Sequence, residues 1–243
     1  MANTAVFLIG GGWTADAYPR TYGPFVQAAT VGGRTRIACV LLDDAHRDDL
    51  FGMVQFAFNA AGTTDVYPVF VSPARPLQRA DVEGATGIFV AGGHTPAYHD
   101  AIVPSASAWI RELVESGIPY AGNSAGAMIG PERAIAGGWR MTRAGQQVEI
   151  CSKEVSEEVD ELDVRPGLGL VPFSVDPHAA QYGTPTRLLH AIDAGRVDDG
   201  WAIDEDTVLI VRDGEVSVAG RGVAWHVRKV EGGLTVEIRP AQD

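Results

Sequence analysis

The sequence has only two cysteines, Cys39 and Cys151, in 243 residues. That argues against a disulfide framework, and Cys39, inside Ile37-Ala38-Cys39-Val40-Leu41-Leu42, reads as a small buried hydrophobe. No apolar run approaches the roughly 20 residues needed to cross a bilayer. The amino-terminal stretch lacks a basic region, and its short apolar run leads straight into Gly10-Gly11-Gly12. It reads as a first core strand rather than a signal peptide. Basic residues are outnumbered, with 19 Lys plus Arg against 31 Asp plus Glu and a formal net charge of −12. Non-specific binding to nucleic acid or to an anionic membrane is therefore not expected. There is no linker of disordered composition and no internal repeat. A single cytoplasmic domain over 1–243 is the expectation, with no cofactor and no metal required; pairing into a homodimer is left open.

What is present is an alternation of strand and helix signals. Residues 4–9 read as a strand ending in a glycine turn, and 36–42 is a continuous apolar run of the kind buried on both faces of a parallel sheet. Between 49 and 61, Leu50, Met53, Val54, Ala57 and Phe58 mark one face of a helix. Strands follow at 65–71 and 87–91, a helix over 109–114, and a fifth strand at 118–121. This βαβ spacing predicts an α/β fold, a mostly parallel, doubly wound sheet flanked by helices. The stretch 137–165 has a weaker pattern, and its acidic part, 155–161, reads as a solvated surface or a flap. A strand over 172–178, a helix over 186–194 and four short alternating runs from 207 to 238 complete the chain as an antiparallel meander.

In parallel sheets ligands gather beyond the carboxyl ends of the strands. The loops there, Gly10-Gly11-Gly12, Gly92-Gly93 and Gly122-Asn123-Ser124-Ala125-Gly126, are all glycine-rich. The first lacks the spacing and the lysine of a phosphate loop, so a tight turn is the better reading. The last is a G-x-S-x-G pattern at a strand–turn–helix junction, which makes Ser124 a candidate nucleophile. A serine hydroxyl needs a base, and the base needs a third group to orient it. Of six histidines, His178 follows a strand in Asp176-Pro177-His178, and His94 is the runner-up beside Gly92-Gly93. For the acid, Asp204-Glu205-Asp206 offers three carboxylates just before a strand, and spacing does not choose among them.

These four motifs, Gly92-Gly93, Gly122 to Ala127, Asp176-Pro177-His178 and Ile203 to Thr207, occur in the order seen in the peptidase E and cyanophycinase family, which the chain resembles over residues 90–211. The resemblance implies a class I glutamine amidotransferase-like, flavodoxin-like fold. It also implies a serine-type peptidase acting on small peptides through an acyl-enzyme on Ser124. Carried over by motif, His178 is the base, Glu205 the orienting acid, and the Gly93 and Ala125 N–H groups the oxyanion hole. His94, Asn123 and Asp176 are implied substrate contacts, although His94 departs from the asparagine, aspartate or glutamine usual there. The implied substrates are dipeptides with an acidic first residue or the arginine-bearing β-aspartyl backbone of cyanophycin. Arg133, Arg140, Arg143 and Arg187 are unranked partners for an acidic side chain.

Other readings compete. A non-catalytic binding or sensing domain of the same fold would keep the elbow as architecture. An α/β-hydrolase esterase would place its acid between serine and histidine, whereas here the acids follow His178. A glutamine amidotransferase needs a cysteine where Ser124 stands. The Asp43-Asp44-Ala45-His46-Arg47-Asp48-Asp49 segment has metal-ligand residue types, but its interleaved arginine favours a solvated loop and helix cap. It follows a strand's carboxyl end, so its acids are also placed to attract a cationic substrate group.

Overall fold

The structure, a computed structural model, describes residues 4–63 and 65–242. Its strands and helices run β1 (Ala5–Ile9), α1 (Tyr18–Thr21), α2 (Gly23–Ala28), β2 (Ile37–Leu42), α3 (Arg47–Ala60), β3 (Val66–Val71), β4 (Gly87–Val90), α4 (Thr95–Glu115), β5 (Tyr120–Asn123) and α5 (Ala125–Ile129). The second half adds β6 (Arg133–Gly137), β7 (Arg140–Arg143), β8 (Gln146–Glu149), β9 (Asp163–Pro166), β10 (Ser174–Pro177), α6 (Ala179–Tyr182) and α7 (Pro185–Asp193). It closes with β11 (Asp199–Ile203), β12 (Thr207–Arg212), β13 (Glu215–Gly220), β14 (Val223–Val230) and β15 (Gly233–Pro240).

The main sheet has seven strands in the order β13-β12-β1-β5-β4-β2-β3. From β1 to β3 every pairing is parallel, and β12 and β13 extend the β1 edge in antiparallel fashion. The parallel strands β1, β2, β4 and β5 are almost wholly buried, as expected for runs with helices on both faces. Because β5 lies between β1 and β4, with β2 next in line, their carboxyl-terminal loops sit side by side. That order brings Gly10-Gly11-Gly12, Ser124, Gly92-Gly93 and the segment after Leu42 to one rim.

The four carboxyl-terminal strands are antiparallel hairpins, as expected, but they do not form one meander. The hairpin β12–β13 joins the main sheet, while β14–β15 joins a second sheet of order β10-β11-β14-β15. The two parts separate at the turn of Arg221 and Gly222, where the Gly222 N–H donates to Thr207 Oγ1 at 2.9 Å. Helix α7 covers the second sheet with Leu188, Ala191 and Ile192, and these pack with Ala202 and Val227 in a smaller apolar cluster.

Helix α4 begins fourteen residues before the stretch in which the sequence signals a helix, at Thr95 rather than 109. Pro104 in its interior masks the continuity, since proline removes a helical hydrogen bond and normally reads as a break. In the main core, Phe58 of α3 is wholly buried at the centre of an aromatic group. Its ring centroid is 5.1 Å from Phe89, 5.5 Å from Tyr22 and 6.0 Å from Phe25. Met53, on the same helix, is 42 % exposed and faces away from the core. Truncating the central ring leaves a cavity that its neighbours cannot close, so Phe58→Ala is expected to cost about 3–5 kcal/mol. A urea titration should show a lower midpoint with an unchanged slope.

Candidate active site

Strand β5 breaks sharply at Ser124, whose φ of 50° and ψ of −109° lie far from both strand and helix. A non-glycine residue in such a conformation costs about 1–3 kcal/mol and is held there only by its surroundings. The holding bonds are visible: Ser124 N–H donates to Ile9 O at 2.9 Å and Gly126 N–H to Ala91 O at 3.2 Å. Both neighbouring glycines are required by close approach. A Cβ on Gly122 would lie 2.2 Å from Gly126 O, and one on Gly126 would lie 2.2 Å from Val90 O. Ala125 opens α5, so its N–H has no acceptor within the helix.

The Ser124 hydroxyl lies 2.8 Å from His178 Nε2, and His178 Nδ1 lies 2.8 Å from Glu205 Oε1. A carboxylate only accepts, so the Nδ1 proton points to Glu205 and Nε2 is left as the acceptor facing Ser124. His178 itself is left-handed, with φ 58° and ψ 39°. Its N–H donates to Gly10 O at 2.9 Å, and its ring lies against Gly11, where a Cβ would fall 2.2 Å from Cε1. The tight turn after β1 thus serves as the seat of the histidine.

Of the three consecutive acids, the structure places only Glu205 against the histidine. Asp204 accepts from the N–H groups of Ala180 and Val223 at 3.0 Å each. Asp206 accepts from the Thr14 N–H at 3.1 Å. Gln181 Oε1 accepts the Glu205 N–H at 2.9 Å and so fixes the turn that aims it.

A cavity of about 640 Å³ opens beside Ser124, His178 and Glu205 and is also lined by Gly93 and Asn123. His94 and Asp176 are not brought to it. His94 is exposed and its Nε2 lies 3.1 Å from Glu157 O. Asp176 is wholly buried, and its two oxygens accept from Arg187 Nη2 and Nε at 2.6 and 2.9 Å. A second, smaller cavity of about 230 Å³ shares His178 and is lined by Tyr182, Thr184, Glu154 and Glu157. The residues that the sequence alone does not assign to the main cavity are Trp13, Leu42, Leu50, Met53 and Tyr98. The sequence carries no signal for Leu50 and Met53, which it groups with the core-facing stripe of α3.

The remaining arginines are engaged away from the main cavity. Arg140 pairs with Asp160 at 2.8 Å, Arg143 pairs with Asp193, and Arg133 donates to Arg196 O at 2.8 Å. Arg187 donates to Val155 O at 2.6 Å and Gly138 O at 3.3 Å besides pairing with Asp176. The acidic stretch is therefore anchored rather than loose, and Glu157 Oε2 also accepts the Thr95 N–H at 2.9 Å. Burial pushes the Asp176 carboxyl up, and the Arg187 guanidinium opposes that shift. Among the described residues no group of three or more His, Cys, Asp or Glu side chains is arranged to hold a metal ion, and no helix is long and apolar enough to cross a membrane. Asp176→Asn leaves the Arg187 charge buried without its counter-charge and should cost about 3–5 kcal/mol. Thermal unfolding of the variant measures the loss.

Comparison with known proteins bears on this arrangement. Two curated relatives named Peptidase E, from a Shewanella species and from Shewanella putrefaciens, are each 28% identical over 153 residues. The match takes in 59% of this chain and spans only 58% of the length of those relatives. The crystal structure of a peptidase from an acI-B1 Actinobacterium superposes with a TM-score of 0.62 at 17% identity. It covers 98% of this chain and 95% of its own, which shows the same fold. The family model of peptidase family S51 matches residues 54–219, more than half of the sequence, and includes Ser124, His178 and Glu205. The chain belongs to peptidase family S51.

Proposed function

We propose that this protein is a serine-type peptidase that hydrolyses amide bonds of small peptides through an acyl-enzyme on Ser124. The observation that carries this reading is the hydrogen-bonded relay from Ser124 Oγ through His178 to Glu205, at 2.8 Å for each link. Family membership supports it, and so does the cavity open to Ser124.

In the proposed reaction Ser124 Oγ attacks the substrate carbonyl while its proton passes to His178 Nε2. Glu205 holds the ring in orientation and stabilises the imidazolium that forms. The negative charge on the former carbonyl oxygen is met by the N–H groups of Gly93 and Ala125. Such donors are each worth about 100- to 1,000-fold in rate because they are aimed before the charge appears. Collapse of this intermediate expels the amine, which takes the proton from His178, and leaves the acyl group on Ser124. Water then attacks the ester with His178 again as base. The cytoplasm fits as the place of action, since Cys39 and Cys151 are both unpaired.

A fluorophosphonate probe should label Ser124, located by mass spectrometry, and Ser124→Ala should remove the label. Folded protein that stays unlabelled would point instead to a binding or sensing domain that keeps the elbow as architecture. Glu205→Gln frees the Nδ1 face to accept and favours the wrong tautomer. Steady-state kinetics should show kcat reduced by about 1,000- to 10,000-fold with KM little changed.

A further inference from the structure

The cavity beside Ser124 extends along the rim of the sheet to the segment after β2. There Asp44 and Asp49 line it together with Leu42, His46, Leu50, Met53 and Trp13. None of the described residues lining it is a lysine or an arginine. The internal ion pairs of this segment run from Arg47 to Asp43 and Asp48, so Asp44 and Asp49 stand outside them. A second observation points to a donor from outside the chain. Asn123, only 1 % exposed, lines the same cavity, and its Oδ1 is buried without a hydrogen-bond partner.

Building on the peptidase reading, we propose that Asp44 and Asp49 select substrates carrying an organic cation within one residue of the scissile carbonyl. That cation is a lysine or arginine side chain. A long basic side chain lays its methylene stem on apolar surface and keeps its charged head at acceptors, and Leu42, Leu50 and Met53 supply such a surface. The Trp13 ring adds a face that attracts cations. Reach is consistent as well. Strand β2 is two places from β5 in the sheet, so the two strand ends are separated by ~10 Å at normal strand spacing. A basic side chain whose own carbonyl sits at Ser124 spans that gap. An acidic side chain at the same place would meet Asp44 and Asp49 beside His46, with no arginine to pair with, because Arg133, Arg140, Arg143 and Arg187 are all engaged elsewhere.

The test uses Lys-Ala, norleucine-Ala and Glu-Ala, each with a free and an acetylated amino terminus, on the wild type and on Asp44→Asn/Asp49→Asn. In the wild type kcat/KM is expected to be highest where a cation is present, by about 10-fold over the matched neutral peptide, as a charge-assisted contact implies. The double variant should bring the ratio close to one, and so should 1 M salt. Each ratio is taken within one protein, so any loss of folded material cancels. The preference should survive acetylation and vanish when norleucine replaces lysine; a preference that acetylation abolishes belongs to the terminus and overturns the proposal. Equal rates on charged and neutral peptides in the wild type overturn the proposal, as does preference for Glu-Ala or an unchanged ratio in the double variant. Probe labelling separates the two levels. An unlabelled Ser124 removes the peptidase reading and this one with it, whereas a labelled Ser124 without the preference removes the selectivity alone.

Discussion

The contact on which the site depends is the seat of the His178 ring against the bare main chain of Gly11. Around it the turn after β1 bonds to both carboxyl-terminal arms. Gly10 O accepts from His178 N–H and Gly11 O from Asp206 N–H, at 2.9 and 2.8 Å, while Gly10 N–H donates to Thr207 O at 2.9 Å. The turn is thus a joint between the seven-stranded sheet, which carries Ser124, and the four-stranded sheet, which carries His178. Any side chain at Gly11 would occupy the ring's place. One of these bonds reaches the strand end that presents His178, and the other two hold the entry to β12 just after Glu205; together they place base and acid on one turn, and a serine–histidine hydrogen bond has little tolerance for error.

Behind the histidine, the Asp176–Arg187 pair performs a related task by different physics. A buried ion pair contributes little net stability, because desolvation offsets the attraction, but its directional hydrogen bonds admit few alternatives. Asp176 lies two residues before His178, and Arg187 spends its other hydrogens on the carbonyls of Gly138 and Val155. The strand end that presents the base and the stretch that reaches the Gly92-Gly93 loop are therefore tied to one guanidinium. In this pair charge is used for placement.

The parallel half of the fold was legible in the sequence because its strands are uniformly apolar and end in glycine turns. Ser124 and His178 announced themselves through local motifs. What was hidden depended on sheet-level pairing. The final hairpins have the same alternating pattern whichever sheet they join, so nothing local separates β12–β13 from β14–β15. The beginning of α4 was masked by Pro104. The choice of Glu205 over Asp204 and Asp206 turns on which side chains are consumed by the backbone N–H groups of Thr14, Ala180 and Val223, and those are distant in sequence. Asp176 was visible as a motif residue, but its partner Arg187 was one of four equivalent arginines until burial singled it out.

The division of the hydrogen-bonded relay between two sheets has a consequence for synthesis. Ser124 and His178 are 54 residues apart, and Glu205 follows by a further 27. A chain leaving the ribosome forms its amino-terminal portion first, and the β1–β5 parallel core can build the elbow before the histidine or the acid has been made. During that interval the serine is an ordinary hydroxyl, with no base within reach. On the proposed reading, reactivity would arrive only when the second sheet docks, so a nascent or half-folded chain would be harmless to the peptides around it.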